Sequence, residues 1–269
     1  EVIKDEDGTI TGTPEIKPGK DPQSGGTLLH GYAIVHGNTV VNISGSNITI
    51  YKCVYGGGEG VLLDGAIITK PGDDYGHIDY EKVLGSLPYG QVTGSDSDEG
   101  ASVTITGASV HENVYGGGNT GLIGTYAIDH TDGTEIYTIN YTGKPVSVTI
   151  NGATIGVENA SGHTSSEGGD DITSGNVFGA GKGNDEGIIL GAVGKSTVTI
   201  IDSNIVKVTN VAAGESLERA KALSGNVYGG GDYGIVGNSV AVHVDLNYNY
   251  DSTIEYNPFK AHYVGNDDY

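Results

Sequence analysis

Grouped carboxylates are the residues of this chain best suited to chemistry. Asp96, Asp98 and Glu99 stand together before Gly100, Asp170 and Asp171 follow a Gly-Gly pair, and Asp185 and Glu186 follow Asn184. Hard oxygen ligands on loops suit calcium, so these seven residues are the candidate metal ligands and calcium is the one candidate cofactor. None of the groups reproduces the twelve-residue calcium loop or the Gly-Gly-x-Gly-x-Asp repeat, and solvated loop charge is the plainer reading. Carboxylate pairs also cleave glycosidic bonds, provided that they converge on one face from neighbouring elements. The apolar ladder positions described below hold no Asp or Glu apart from Asp202 at a bend and Asp245 near the end. The eight histidines are dispersed without metal spacing, and no Gly-x-Ser-x-Gly elbow occurs. No catalytic residue is assigned on this basis; an enzyme built here would be a polysaccharide lyase or a glycoside hydrolase.

Two runs, Gly116-x-Gly118-x-x-Gly121 and Gly229-x-Gly231-x-x-Gly234, match the dinucleotide fingerprint in letters. That fingerprint needs a helix whose N-terminus holds pyrophosphate. Leu-Ile-Gly and Ile-Val-Gly follow instead, which continues as strand and turn. Gly194-Lys195-Ser196 ends like a phosphate loop, but Ile189 stands where its leading glycine belongs. A net charge of −21 with a single arginine argues against nucleic acid and against anionic membrane surfaces. The single cysteine, Cys53, allows no intrachain disulfide and reads as a small packed residue. No run of about 18 apolar residues encodes a membrane-spanning helix. With Glu1 first and no methionine, the sequence reads as part of a longer product, with a signal, an anchor or further repeats expected outside it.

The elements that must hold any site come from a repeat. Val-Tyr-Gly-Gly-Gly occurs at 54–58, 114–118 and 227–231, and Val-Phe-Gly-Ala-Gly at 177–181. Asn113, Asn176 and Asn226 precede three of these tags, and Cys53 precedes the first. Upstream of each lies an alternating Val-x-Ile unit starting at Val41, Val103, Val148 and Val198, which puts both apolar side chains on one strand face. Weaker copies stand at Leu63–Ile67 and Val240–Val244. Glycine, at 47 of 269 residues, supplies the turns between such short strands.

These features predict an all-β chain, a right-handed parallel β-helix (solenoid) with long loop excursions and one short helix; the alternative is an antiparallel sandwich or propeller. Stacking would align Tyr55, Tyr115, Phe178 and Tyr228 in an aromatic column and the asparagines in an amide ladder. Tags 60, 63 and 50 residues apart suggest two or more coils per repeat. Residues 70–100 and 156–175 read as surface loops, and 212–224 as a short helix. The domain reading is a linker at 1–26, the repeat domain at 27–245 and a strand-like capping or assembly segment at 246–269.

The run Asn-Val-Tyr-Gly-Gly-Gly, followed by Gly-Ile-Val-Gly-Asn-Ser-Val-Ala-Val at 234–242, resembles glycine-rich repeat segments of large secreted or cell-surface proteins of Bacteroidetes-type bacteria. The likeness covers roughly residues 30–245. It implies a parallel β-helix passenger and carries no activity or catalytic residues with it. The leading expectation is a non-catalytic extracellular structural or adhesive module: an adhesin, stalk or filament-forming subunit that associates with itself or with neighbouring repeat domains. The alternative is a carbohydrate-binding or carbohydrate-cleaving β-helix whose loop tyrosines (Tyr75, Tyr80, Tyr89, Tyr126, Tyr137 and Tyr141) stack on sugars.

Overall fold

The structure is a computed structural model that describes residues 33–60, 87–94, 99–130, 136–158, 175–183, 190–209 and 224–245. It also describes the two-residue strands Ile3–Lys4, Ile10–Thr11, Ile67–Ile68 and His77–Ile78. All regular structure among these residues is β-strand. Alternation of β-branched and polar residues between glycine turns leaves little else for the chain to form.

Each repeat lays one strand in each of three parallel four-stranded sheets, in the same order every time. The first sheet joins Thr39–Ser44, Ala101–Thr106, Pro145–Asn151 and Lys195–Ile201. The second joins Thr49–Ile50, Ser109–Val110, Thr154–Ile155 and Asn204–Ile205. The third joins the tags Val54–Tyr55, Val114–Tyr115, Val177–Phe178 and Val227–Tyr228. The parallel register differs from that of an antiparallel sandwich or propeller and is consistent with a β-solenoid. Consecutive tags pair directly, so each repeat advances the stack by one rung. This corrects the expectation of two or more coils per repeat; the surplus length goes into excursions between rungs.

Identical register turns the Val-x-Ile units into ladders. Val41, Val103, Val148 and Val198 form one, and Ile43, Ile105, Ile150 and Ile200 the next. The two inner rungs bury these residues fully, whereas those of the first and last rungs are only partly buried. Full burial of a Val or Ile side chain stabilises by about 1.5–3 kcal/mol, so the middle of the stack holds most of the core energy. A second cluster, including Val92, Ile123 and Val193, lines the turn that opens each rung.

Three further expectations are corrected. Ile67, from the weak copy at 63–67, pairs antiparallel with Ile78 and stays out of the stack. The end of the 70–100 excursion is not surface loop, because Leu87 and Val92 are buried and Gln91 donates to the Gly124 carbonyl at 2.8 Å. The second weak copy, within Ser239–Asp245, begins beside the fourth rung with Gly237 N–H donating to the Val193 carbonyl at 2.8 Å. It then leaves the stack and pairs antiparallel with Ile136–Gly143, which itself forms a hairpin with Gly124–His130. The helix expected over 212–224 and the segment 246–269 lie outside the described residues, save Ser224; of the 1–26 linker only the antiparallel pair Ile3–Lys4 and Ile10–Thr11 is described.

The bend after each Val-x-Ile strand takes a left-handed backbone. Gly107 and Gly152 supply it with φ of 71° and 58°, but the fourth rung uses Asp202 at φ 45°. A side chain in that region costs about 1 kcal/mol relative to glycine. Asp202→Gly is therefore expected to raise the denaturant midpoint by an amount worth up to about 1 kcal/mol, and Asp202→Val to lower it. A lower midpoint for the glycine variant would show that the aspartate side chain contributes more than its backbone strain removes.

Candidate functional site

The tags build the densest arrangement of polar and aromatic groups among the described residues. Parallel strands place equivalent side chains one strand spacing apart, about 4.8 Å. Tyr55, Tyr115, Phe178 and Tyr228 accordingly stack with ring centroids 5.0, 4.8 and 4.8 Å apart and interplanar angles of 6°, 4° and 11°. Beside them runs the amide ladder. Asn176 donates from its backbone N–H (2.9 Å) and from Nδ2 (3.3 Å) to Oδ1 of Asn113, and Asn226 does the same to Oδ1 of Asn176 at 3.1 and 3.3 Å. Nδ2 of Asn113 donates to the Tyr115 hydroxyl at 3.1 Å, linking ladder to column. In the inner rungs these amides are consumed by structure, since Oδ1 of Asn113 and of Asn176 each already holds the next rung.

At the first rung the ladder position is Cys53, and a small titratable cluster replaces the amide. Its thiol donates to Oε2 of Glu112 at 3.2 Å. Oε1 of the same carboxylate is buried and accepts no hydrogen bond from any described residue, but lies 3.2 Å from Nζ of Lys52. Lys52 is mostly exposed and its pair adds little by itself; its main effect is to leave the buried Glu112 charge a partner. The sequence contained a signal for this pair: Lys52 and Glu112 each stand two residues before the tag, so register puts opposite charges one rung apart.

Burial, reinforced by the negative charge of Glu112, pushes the Cys53 thiol up to about 12. A thiol held protonated is a poor nucleophile and a poor metal ligand. Burial also raises Tyr55, beside Cys53, and Tyr141. The Tyr141 hydroxyl donates to the Ile123 carbonyl at 2.5 Å. All three groups are neutral in the fold. The unfolded chain releases the Cys53 proton from pH 9, so stability is complete below pH 9 and is lost as pH rises toward 12. The full loss for this one group is about 4 kcal/mol. Denaturant midpoints measured on both sides of pH 9 should fall on the alkaline side, and Cys53→Val should remove the first part of that fall. An unchanged slope in the variant would show that the thiol is not held as described.

Of the candidate calcium ligands, only Glu99 is among the described residues, where it is exposed beside buried Gly100. Asp96, Asp98, Asp170, Asp171, Asp185 and Glu186 lie outside them. No group of three or more His, Cys, Asp or Glu able to hold a metal occurs among the described residues. The loop reading of the tyrosines needs correction at three positions. Tyr126, Tyr137 and Tyr141 are in strands, with Tyr126 opposite Tyr141, and Tyr141 is buried. Tyr89 is half-buried in a turn; Tyr75 and Tyr80 lie outside the described residues. Among the described residues no helix is long and apolar enough to cross a membrane.

The chain matches no family model, no curated protein and no solved structure. What defines its class is therefore the architecture: an all-β protein of short parallel strands stacked repeat upon repeat.

Proposed function

We propose that the chain is a non-catalytic structural or adhesive repeat module of the extracellular or cell-surface kind, wound as a right-handed parallel β-helix. The hand follows from physics, since parallel strands joined through one sheet cross over right-handedly in nearly all cases. One observation carries the functional reading: the groups that could act on a ligand are used between rungs. The tag glycines give passage to backbone, the asparagines hold the next amide, and the thiol is kept neutral against Glu112. Acidity adds solubility and repels anionic surfaces.

A second reading, carbohydrate binding, draws on Tyr51, which is 68% exposed with its ring edge-on to His111 at 4.9 Å. An exposed ring of this kind can stack on a sugar face. A glycan array read with and without calcium separates the two, together with an assay for new reducing or unsaturated sugar ends. The structural reading expects no binding and no product. Product release would overturn it, and binding lost in Tyr51→Ala would move the assignment to a carbohydrate-binding module.

A further inference from the structure

The tag glycines record what lies above them. A Cβ on Gly57 would come within 2.9 Å of the Gly118 nitrogen, one on Gly117 within 2.5 Å of the Gly181 nitrogen, and one on Gly179 within 2.5 Å of the Gly229 carbonyl oxygen. In each case the obstacle is the backbone of the following rung. Gly229 and Gly230 occupy the same positions in the fourth rung, and a Cβ there meets no described residue within 4 Å. Neither has a left-handed φ that would itself require glycine. Gly229 fits a rung above it that the described residues do not supply; at the Gly230 position the third rung tolerates Ala180 beneath the fourth, so Gly229 carries the inference.

The rest of the fourth rung is open in the same direction. Oδ1 of Asn113 and of Asn176 each accepts from the next rung, yet no described residue donates to Oδ1 of Asn226. Val227 and Tyr228 are 47% and 40% exposed, whereas Val114 and Tyr115 in the second rung are 0% and 1% exposed. The outward strand face adds exposed Ile201; the turn that opens this rung is already covered, since Val236 pairs over buried Val193, so the open part runs from the long strand to the tag.

We propose that the first rung of a second copy of this chain seats on the fourth rung, continuing the stack head to tail. The proposal rests on the structural-module reading and names its partner. A second copy fits because its first rung carries the same tag, Val54-Tyr55-Gly56-Gly57-Gly58, in a register that already pairs with the tag after it. That rung is itself half-open, with Val35, Val40, Ile48 and Tyr51 exposed. The chain's own continuation fits worse. Its fifth Val-rich segment has turned away to pair with Ile136–Gly143, and residues 246–269 contain one glycine and no aromatic-glycine tag. Association of this kind is heterologous, so it generates open-ended filaments unless the rotation closes. Each copy carries −21, so salt should strengthen it.

Sedimentation velocity across a concentration series, at low and high salt, provides the test. Wild-type protein should form concentration-dependent oligomers, more at high salt. Gly229→Val should weaken association by roughly tenfold or more while leaving the melting temperature of the dilute monomer unchanged. Register is tested with Ser44→Cys and Ile201→Cys combined in one chain. Both positions are exposed and follow the same ladder, so oxidation should yield disulfide-linked multimers that neither single variant gives. Wild-type protein that stays monomeric throughout overturns the proposal. So does a Gly229→Val variant that melts lower as a dilute monomer, since the space would then be filled by the chain's own residues 246–269. Either result leaves the structural-module reading standing, because that reading fails only on sugar binding or product release.

Discussion

Gly116→Val is expected to abolish the cooperative unfolding transition of the chain under conditions where the wild type shows one. A Cβ at Gly116 overlaps the carbonyl oxygen of Gly179 and sits 2.9 Å from Cγ2 of Val148. Neither neighbour can yield cheaply. The first is backbone of the next rung, held by the Gly116 N–H bond to the Phe178 carbonyl at 2.9 Å, and the second is a fully buried core residue. Overpacking against immobile groups costs more than the usual 1–3 kcal/mol, here about 4 kcal/mol or more. Domains of ordinary size have about 5–15 kcal/mol in total. Thermal and urea melts followed by circular dichroism would measure it, with Gly229→Val as the control at the equivalent but open corner. Equal melting of Gly116→Val and wild type would mean that the rungs are not stacked at this register.

The second large effect is at the aromatic column. Phe178 is 5% exposed and its ring lies 4.8 Å from those of Tyr115 and Tyr228. Phe178→Ala removes both stacking faces and leaves a cavity that the strand spacing prevents from closing. The expected loss is about 3–5 kcal/mol, a fall in melting temperature of roughly 10 °C. Phe178→Tyr should stay within about 1 kcal/mol of wild type, because the other three rungs carry tyrosine. Asn176 can offer the new hydroxyl the same contact that Asn113 gives Tyr115. A tyrosine variant as unstable as the alanine variant would show that the third rung has no room for the hydroxyl, and that its phenylalanine is obligatory.

Much of the stack was legible because period-two alternation fixes a face, and repetition of the same alternation fixes a register. Val103 and Val148 match in letters and match in space. The same logic misled at Ser239–Asp245. An alternating Val-x-Val strand satisfies a parallel or an antiparallel neighbour equally well, and nothing within it names the partner. The Gly124–Gly143 hairpin escaped notice for a related reason: its threonines, tyrosines and isoleucines read as tyrosine-bearing loop until the two strands are seen paired. Spacing between tags was a poor guide to coil number, because excursion length does not alter the rung-to-rung step. At the candidate site, the column and ladder follow from repetition, whereas the Cys53–Glu112 contact depends on the one tag that departs from the pattern. The acidic groups are legible only as composition, since loops without a repeat carry no register from which convergence could be read.

The antiparallel return of Ser239–Asp245 onto Ile136–Gly143 has a consequence for how the molecule folds and fails. A pure repeat stack propagates between nearest neighbours and frays from its ends, each rung leaving in turn. Here the segment that follows the fourth rung is fastened to a hairpin inserted ahead of the third rung's long strand, with Ile139 facing Val242 across about a hundred residues of chain. The last rung is enclosed in that loop, so it cannot peel away until the three-stranded arm opens. Ordering the arm demands a long loop closure that local rung-by-rung growth never requires, which slows folding. The clasp thus exchanges speed of assembly for a terminus that unfolds together with the interior.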